Sequence, residues 1–211
     1  MSPQRAVGLV LAAGRGGRIG HPKALLEYDS GKSFLDIVAA AIRKGGADVK
    51  VVLGYESEAI RARHPELDFV VNDEWEKGGQ FSSVLLGLRS VLEDGCDRVL
   101  VHPVDMPAVR ASTFAALVKA NFTSDGAVPE FESATGHPLV LSANAAKKVV
   151  GMKNVPHLEA AQKELKIERV KVRDPGVVVN FNAPEIYERL LGSAPHLAPP
   201  RKKGGRQKQT A

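Results

Sequence analysis

With 211 residues, an ordinary apolar fraction and few aromatics, the chain is long enough for one α/β domain and short for two. It has no apolar run of about 18 residues to span a membrane, and its first residues, MSPQRAVGLVLAAG, lack the cleavage pattern of a signal peptide. A lone cysteine, Cys96, excludes an internal disulfide and fits a reducing cytoplasm. The net charge of +5 belongs to one end: residues 193–211 hold Arg201, Lys202, Lys203, Arg206 and Lys208 and no acid, and the other 24 basic residues equal the 24 acidic ones. The body is therefore neutral and nucleic acid is not its expected partner. The Pro, Gly and Gln of 193–211 predict a disordered tail, a solubilising end or a weak hold on an acidic partner, beyond one domain over 1–192.

The apolar run AVGLVLAA (6–13) reads as a buried strand. Phe34, Ile37, Val38 and Ile42 stand at helical spacing in 34–43, with Ser33 as N-cap and KGG as stop. A second strand, VKVVLG (49–54), a short helix, ESEAIRAR (56–63), and a third strand, DFVVN (68–72), follow. A striped helix covers 82–92, and RVLVHPVD (98–105) is a fourth strand running into a loop. Beyond it come a helix at 113–122, strands at 126–131 and 137–142, and helices at 142–151 and 157–165. Strands at 167–172 and 176–181 and a helix at 183–191 complete the series. Alternating strands and helices require crossover connections, hence a three-layer α/β/α fold with a mostly parallel, mixed sheet of Rossmann-like kind. Ligands in such sheets bind at the carboxyl ends of strands.

At the end of the first strand stands LVLAAGRGGRIGHPK (9–23), with four glycines, two arginines and a lysine in one turn. It reads either as a flexible surface loop or as a cradle for phosphate. It is not a P-loop, because His21 and Pro22 separate Gly20 from Lys23. Nor is it the dinucleotide fingerprint, because the third glycine position is Ile19 and the second strand ends without the expected acid, so nicotinamide chemistry is a poor second choice. The chemistry of a phosphate site survives both failures. Glycine lets backbone N–H groups approach oxygens, the Arg18 fork can hold two of them, and Lys23 adds a movable charge.

The stretch LAAGRGGRIGHPK resembles the signature L-A-A-G-x-[SG]-x-R-[MI]-G-x-x-K of the molybdenum-cofactor nucleotidyltransferases, relatives of the sugar-1-phosphate nucleotidyltransferases. NDEWEKGGQFSSVLLGL (72–88), HPVDMPAV (102–109), GHPLVL (136–141) and VVNFNAPEIYERL (178–190) resemble further family segments in the same order, so the likeness spans 6–191. It implies Mg²⁺-dependent transfer of a nucleoside monophosphate from a triphosphate to a phosphorylated acceptor such as molybdopterin, with release of pyrophosphate. LAAG in place of LAGG implies the cytidylyl branch and CTP, with guanylyl transfer and then sugar 1-phosphates as alternatives.

The resemblance assigns residues as well. Leu11, Ala12, Ala13, Gly14, Arg18, Lys23, Asn72, Gly79 and Ser83 would bind nucleotide, with Arg18, Lys23 and Asp105 catalytic. Asp105 and Asn182 would hold the metal, Asn180 being the other option two residues away. Gly136 and His137 would lie near the acceptor, and a further enzyme would receive the finished cofactor. Local readings stand beside these: Asp105 as a turn residue, Ser82 and Ser83 as caps, Asn182 as a helix cap, and His137 and Trp75 as packing residues. Related enzymes often carry aspartate where Asn182 stands; an amide adds no charge, which makes any metal depend more on substrate phosphates. A non-catalytic nucleotide-binding regulator and an RNA binder acting through the basic tail are the rivals from other classes.

Overall fold

The computed structural model describes residues 5–200. Strand β1 (Ala6–Ala12) leads through the glycine loop and a 3-10 turn (Lys23–Leu25) into a small hairpin, β2 (Glu27–Asp29) and β3 (Lys32–Ser33). Then come α1 (Phe34–Lys44), β4 (Asp48–Leu53), α2 (Ser57–Arg63), β5 (Asp68–Val71), α3 (Trp75–Glu93) and β6 (Arg98–Pro103). The second half is α4 (Ala111–Lys119), β7 (Gly126–Phe131), β8 (Ala134–Thr135), β9 (Leu139–Ser142), α5 (Ala143–Gly151), α6 (Leu158–Lys163), β10 (Ile167–Lys171) and α7 (Pro184–Leu191).

The main sheet runs β10-β7-β9-β6-β1-β4-β5, with β8 attached to β7. β9 is antiparallel to both its neighbours, while β1, β4, β5 and β6 are mutually parallel. Period-two alternation sends the two faces of β1 into different cores: Ala6, Val10 and Ala12 pack under α1, α4 and α7, while Val7, Leu9 and Leu11 pack under α3 and α5. This is the expected three-layer arrangement. Two glycines let helices approach the sheet closely. A Cβ on Gly8 would meet Ile42 of α1 at 2.5 Å, and one on Gly87 of α3 would meet Leu9 and Val52 at 2.7 Å.

From β1 the chain winds outward through β4 to β5, then crosses back to β6 on the other side of β1. The order reverses between β1 and β6, so a crevice opens at their carboxyl ends. The glycine loop and Asp105 are the residues that follow those two ends.

Helix α1 starts where the sequence places it. The Ser33 hydroxyl accepts from the Asp36 N–H, and the Asp36 carboxylate accepts from the Ser33 N–H at 2.8 Å, a reciprocal capping box. The stretch 176–181, expected as a strand, is instead a 3-10 turn (Pro175–Val178) followed by extended chain outside the sheet. Asp174 forces the turn by accepting from the Gly176 N–H at 3.0 Å, and Gly176 leaves no room for a strand side chain: a Cβ there would lie 2.2 Å from the Ala108 carbonyl oxygen.

The body also extends past the expected boundary at 192. The His196 carbonyl accepts from the Glu27 N–H at 2.9 Å, the Ala198 N–H donates to the Leu25 carbonyl at 2.9 Å, and Arg63 donates to the Pro199 carbonyl. Residues 196–199 thus strap the β2–β3 hairpin, correcting the expectation that disorder begins at 193. The tail cations at 201–208 lie outside the described residues. Among the described residues no helix is long and apolar enough to cross a membrane.

Candidate active site

The glycine loop owes its shape to one residue. Gly16 has φ +69°, and its carbonyl accepts from the N–H groups of Ile19 (2.9 Å) and Gly20 (3.0 Å). A Cβ on Gly16 would stand 2.3 Å from the His21 carbonyl oxygen, so no larger residue fits. Ile19 is buried and anchors the turn, while a Cβ on Gly14 or Gly17 would meet only open space. The loop is tied to β4 by the Tyr55 N–H, which donates to the Ala13 carbonyl at 3.0 Å, and by the Arg15 guanidinium, 5.2 Å from the Tyr55 ring centre. Arg18 remains exposed on the cleft side.

The cleft has a volume of about 1040 Å³. Of the residues expected in the site, it is lined by Leu11, Ala12, Ala13, Gly14, Arg18, Lys23, Gly79, Ser83, Asp105, Gly136, His137 and Asn182. Asn180, the alternative to Asn182, lines it as well. Asn72 does not. It is buried, its amide donates to the Ser82 and Ser83 hydroxyls at 2.9 Å each, and its oxygen accepts from the Glu74 N–H at 3.1 Å. All its polar atoms are used within the fold, so Asn72 orients the serines of α3, which corrects its expected contact with nucleotide.

At the floor of the cleft the Lys23 ammonium donates to Asp105 Oδ2 at 2.6 Å and to Asn182 Oδ1 at 2.7 Å. The Asp105 carbonyl accepts from the Phe181 N–H at 2.9 Å, which holds both asparagines beside the carboxylate. The Phe181 side chain turns the opposite way, into an aromatic cluster with Tyr28, Phe34 and Tyr187. Two oxygens here, Asp105 Oδ1 and Asn180 Oδ1, are buried without a hydrogen-bond partner. Buried acceptors of this kind are costly unless something fills the space beside them.

The side wall carries two histidines. His102 is fully buried, and its Nε2–H donates to the Met106 carbonyl at 3.1 Å. Burial, with His137 alongside, pushes its pKa down to about 3, so it is neutral at ordinary pH. His137 is also shifted down by burial, against the pull of Asp105. Its N–H donates to the Val177 carbonyl, and Gly136 before it is pinned by a clash: a Cβ there would lie 1.9 Å from that same carbonyl oxygen.

On the opposite wall α3 is broken at Gly79 (φ 63°, ψ −173°), which turns backbone toward the cleft just before Ser83. Trp75, for which sequence favoured core packing, lines the cleft and packs edge-on to Tyr55. Sequence reasoning also missed His157, Glu159 and Gln162 at the far end. The His157 ring caps α6 by accepting from the Ala160 N–H at 3.1 Å, and nothing local distinguishes such a cap from a site residue.

The chain is similar to several known proteins. A family model described as MobA-like NTP transferase domain matches residues 8–172. A molybdenum cofactor guanylyltransferase from Xanthomonas euvesicatoria pv. vesicatoria is 31% identical over 200 residues, covering 89% of this chain and 95% of that protein. Nicotine blue oxidoreductase from Paenarthrobacter nicotinovorans is 33% identical over 147 residues, covering 64% of this chain and 70% of its own. Among solved structures, Rv0371c from Mycobacterium tuberculosis H37Rv superposes with a TM-score of 0.77 at 24% identity, covering 92% of this chain and 100% of that one, a likeness of fold.

Proposed function

The chain belongs to the family of MobA-like NTP transferase domains and is a nucleotidyltransferase, and from that premise we propose that it transfers a guanylyl group from GTP to a phosphorylated acceptor of the molybdenum-cofactor class. The observation that carries the reading is the floor of the cleft: a carboxylate, two amide oxygens and a lysine converge beside a glycine loop whose backbone faces open space. The cytidylyl preference expected from LAAG has no support in the relative of matching length, which is a guanylyltransferase; the second choice takes its place.

In this reading the acceptor phosphate oxygen attacks the α-phosphorus, the bond from that phosphorus to the β-phosphate bridge breaks, and pyrophosphate leaves with the electron pair. A phosphate monoester is already anionic, so no general base is required and neutral His137 needs no proton-transfer role. Positioning and charge stabilisation carry the rate. The 14–18 loop would cradle the phosphates, Arg18 and Lys23 would offset the charge on departing pyrophosphate, and Ser83 and the Gly79 backbone would border the base. Gly136 and His137 would border the acceptor.

The donors on the floor suit a hard divalent cation. Asp105 Oδ1 and Asn180 Oδ1 are free oxygen donors, and the lysine already bridging Asp105 and Asn182 marks the same corner as a place for positive charge. Mg²⁺ held by Asp105 and an asparagine oxygen would draw the two phosphate groups together and offset their repulsion. One carboxylate supplies little charge, so any metal here would depend on the substrate's own phosphates as well. Pyrophosphate release, measured with each of the four triphosphates, Mg²⁺ and molybdopterin, is expected to be fastest with GTP. Equal release with all four would reject the base assignment, and none with any would reject the reaction.

A further inference from the structure

We propose that Lys23 is a tethered cation that holds the metal seat closed until a triphosphate draws it away, so that nucleotide and divalent ion bind as a coupled pair. The inference rests on reading Asp105 and Asn182 as cation ligands. Its own basis is that Lys23 takes up the oxygens such a cation needs: Nζ stands 2.6 Å from Asp105 Oδ2 and 2.7 Å from Asn182 Oδ1. The ion pair is mostly buried, with the two side chains 18% and 14% exposed.

Charge decides the consequence. With Lys23 in place the carboxylate is already neutralised, and the corner holds no net attraction for a second cation. A divalent ion arriving alone must either share the carboxylate with an ammonium a few ångströms away or expel it from a poorly solvated corner into a loop that offers no anion. A triphosphate removes that obstacle. The lysine stem runs beside the glycine loop, its Cγ 3.4 Å from where a Cβ on Gly16 would stand. Its four-carbon chain can therefore swing from the carboxylate to phosphates lying on that loop. Departure of Lys23 leaves Asp105 anionic and Asn182 Oδ1 free, next to the unpartnered Asp105 Oδ1 and Asn180 Oδ1. Since coupling between two ligands is reciprocal, metal bound there must also tighten nucleotide binding.

Mn²⁺ binding to the nucleotide-free full chain, read from the free-ion electron paramagnetic resonance signal, tests this. Lys23→Met is expected to bind Mn²⁺ at least about tenfold more tightly than the unaltered chain. Adding Asp105→Asn to that variant is expected to abolish the gain. If Lys23→Met does not exceed the unaltered chain while Asp105→Asn still removes binding, the tethered-cation inference fails and the metal seat stands. If the double variant keeps the gain, the assignment of Asp105 as a metal ligand fails instead. A second measurement needs no variant. In ¹⁵N spectra of lysine ammonium groups, the Lys23 signal should stay in place on adding Mg²⁺ alone and move on adding Mg²⁺ with a non-hydrolysable GTP analogue. Equal movement with Mg²⁺ alone overturns the proposal.

Discussion

Two aspartates, each close to a proline, one buried and one partly buried, have opposite surroundings. Asp174 is 2% exposed and its acceptors are consumed by the fold: Oδ2 accepts from the Arg110 N–H (2.8 Å) and the Thr113 hydroxyl (2.6 Å), and Oδ1 from the Gly176 N–H (3.0 Å). Asp105 has one oxygen on a lysine and the other on nothing. The first carboxylate stitches a turn to the start of α4. The second lines the cleft, its charge balanced by the Lys23 ammonium. Sequence distinguishes Asp-x-Pro from Asp-Pro-Gly but not these roles, because the partners of both lie far along the chain.

The comparison breaks most visibly through stability. Asp174→Ala strands the Gly176 N–H and the Thr113 hydroxyl in a buried place and frees the Arg110 N–H in a partly buried one, and is expected to cost about 3–5 kcal/mol of unfolding free energy. Turnover per folded molecule should be largely kept. Denaturant melts and turnover corrected for folded fraction check both halves. Asp105→Ala should do the reverse, lowering turnover at least about a hundredfold, near 2.7 kcal/mol of barrier, with little unfolding. If the two variants behaved alike, the distinction between a structural and a working carboxylate would be lost.

A smaller effect follows from the wall of the cleft. The pKa of His102 falls from an ordinary 6.5 to about 3 in the folded chain, so between those values the unfolded state carries the extra proton. The stability due to neutral His102 is complete above about pH 6.5 and is lost as pH falls toward 3, about 2 kcal/mol between pH 7 and 5. His137, also shifted down, adds in the same direction. Unfolding free energies at the two pH values should show the loss, and His102→Asn should reduce it. An unchanged slope would mean that His102 is not the titrating group.

The parallel core of the fold was legible because apolar runs and helical spacing are local signals: β1, β4, β6 and α1 fall within a residue or two of their expected bounds. The run GVVVNF misled because its valines carry strand propensity while Asp174 and the contact of Gly176 with Ala108 impose a turn. The strap at 196–199 was hidden for a related reason. Its backbone pairs with Leu25 and Glu27, about 170 residues earlier, a separation no local pattern encodes. In the site, the long loop motif and the order of segments brought out Lys23, Asp105, His137 and Asn182 together. Asn72 looked like a contact because it stands in a motif, yet its amide serves the serines 10 and 11 residues on. The α6 residues at the far end of the cleft carry no motif at all.

The central claim is that the cleft between β1 and β6 receives a triphosphate on the glycine loop opposite a cation on Asp105. A crystal structure with a non-hydrolysable GTP analogue and Mn²⁺ tests it most directly. The account predicts phosphate oxygens within hydrogen-bond reach of backbone N–H groups in 14–18 and an anomalous Mn²⁺ peak on the Asp105 carboxylate. Nucleotide seated away from that loop, or metal bound without Asp105, would contradict it.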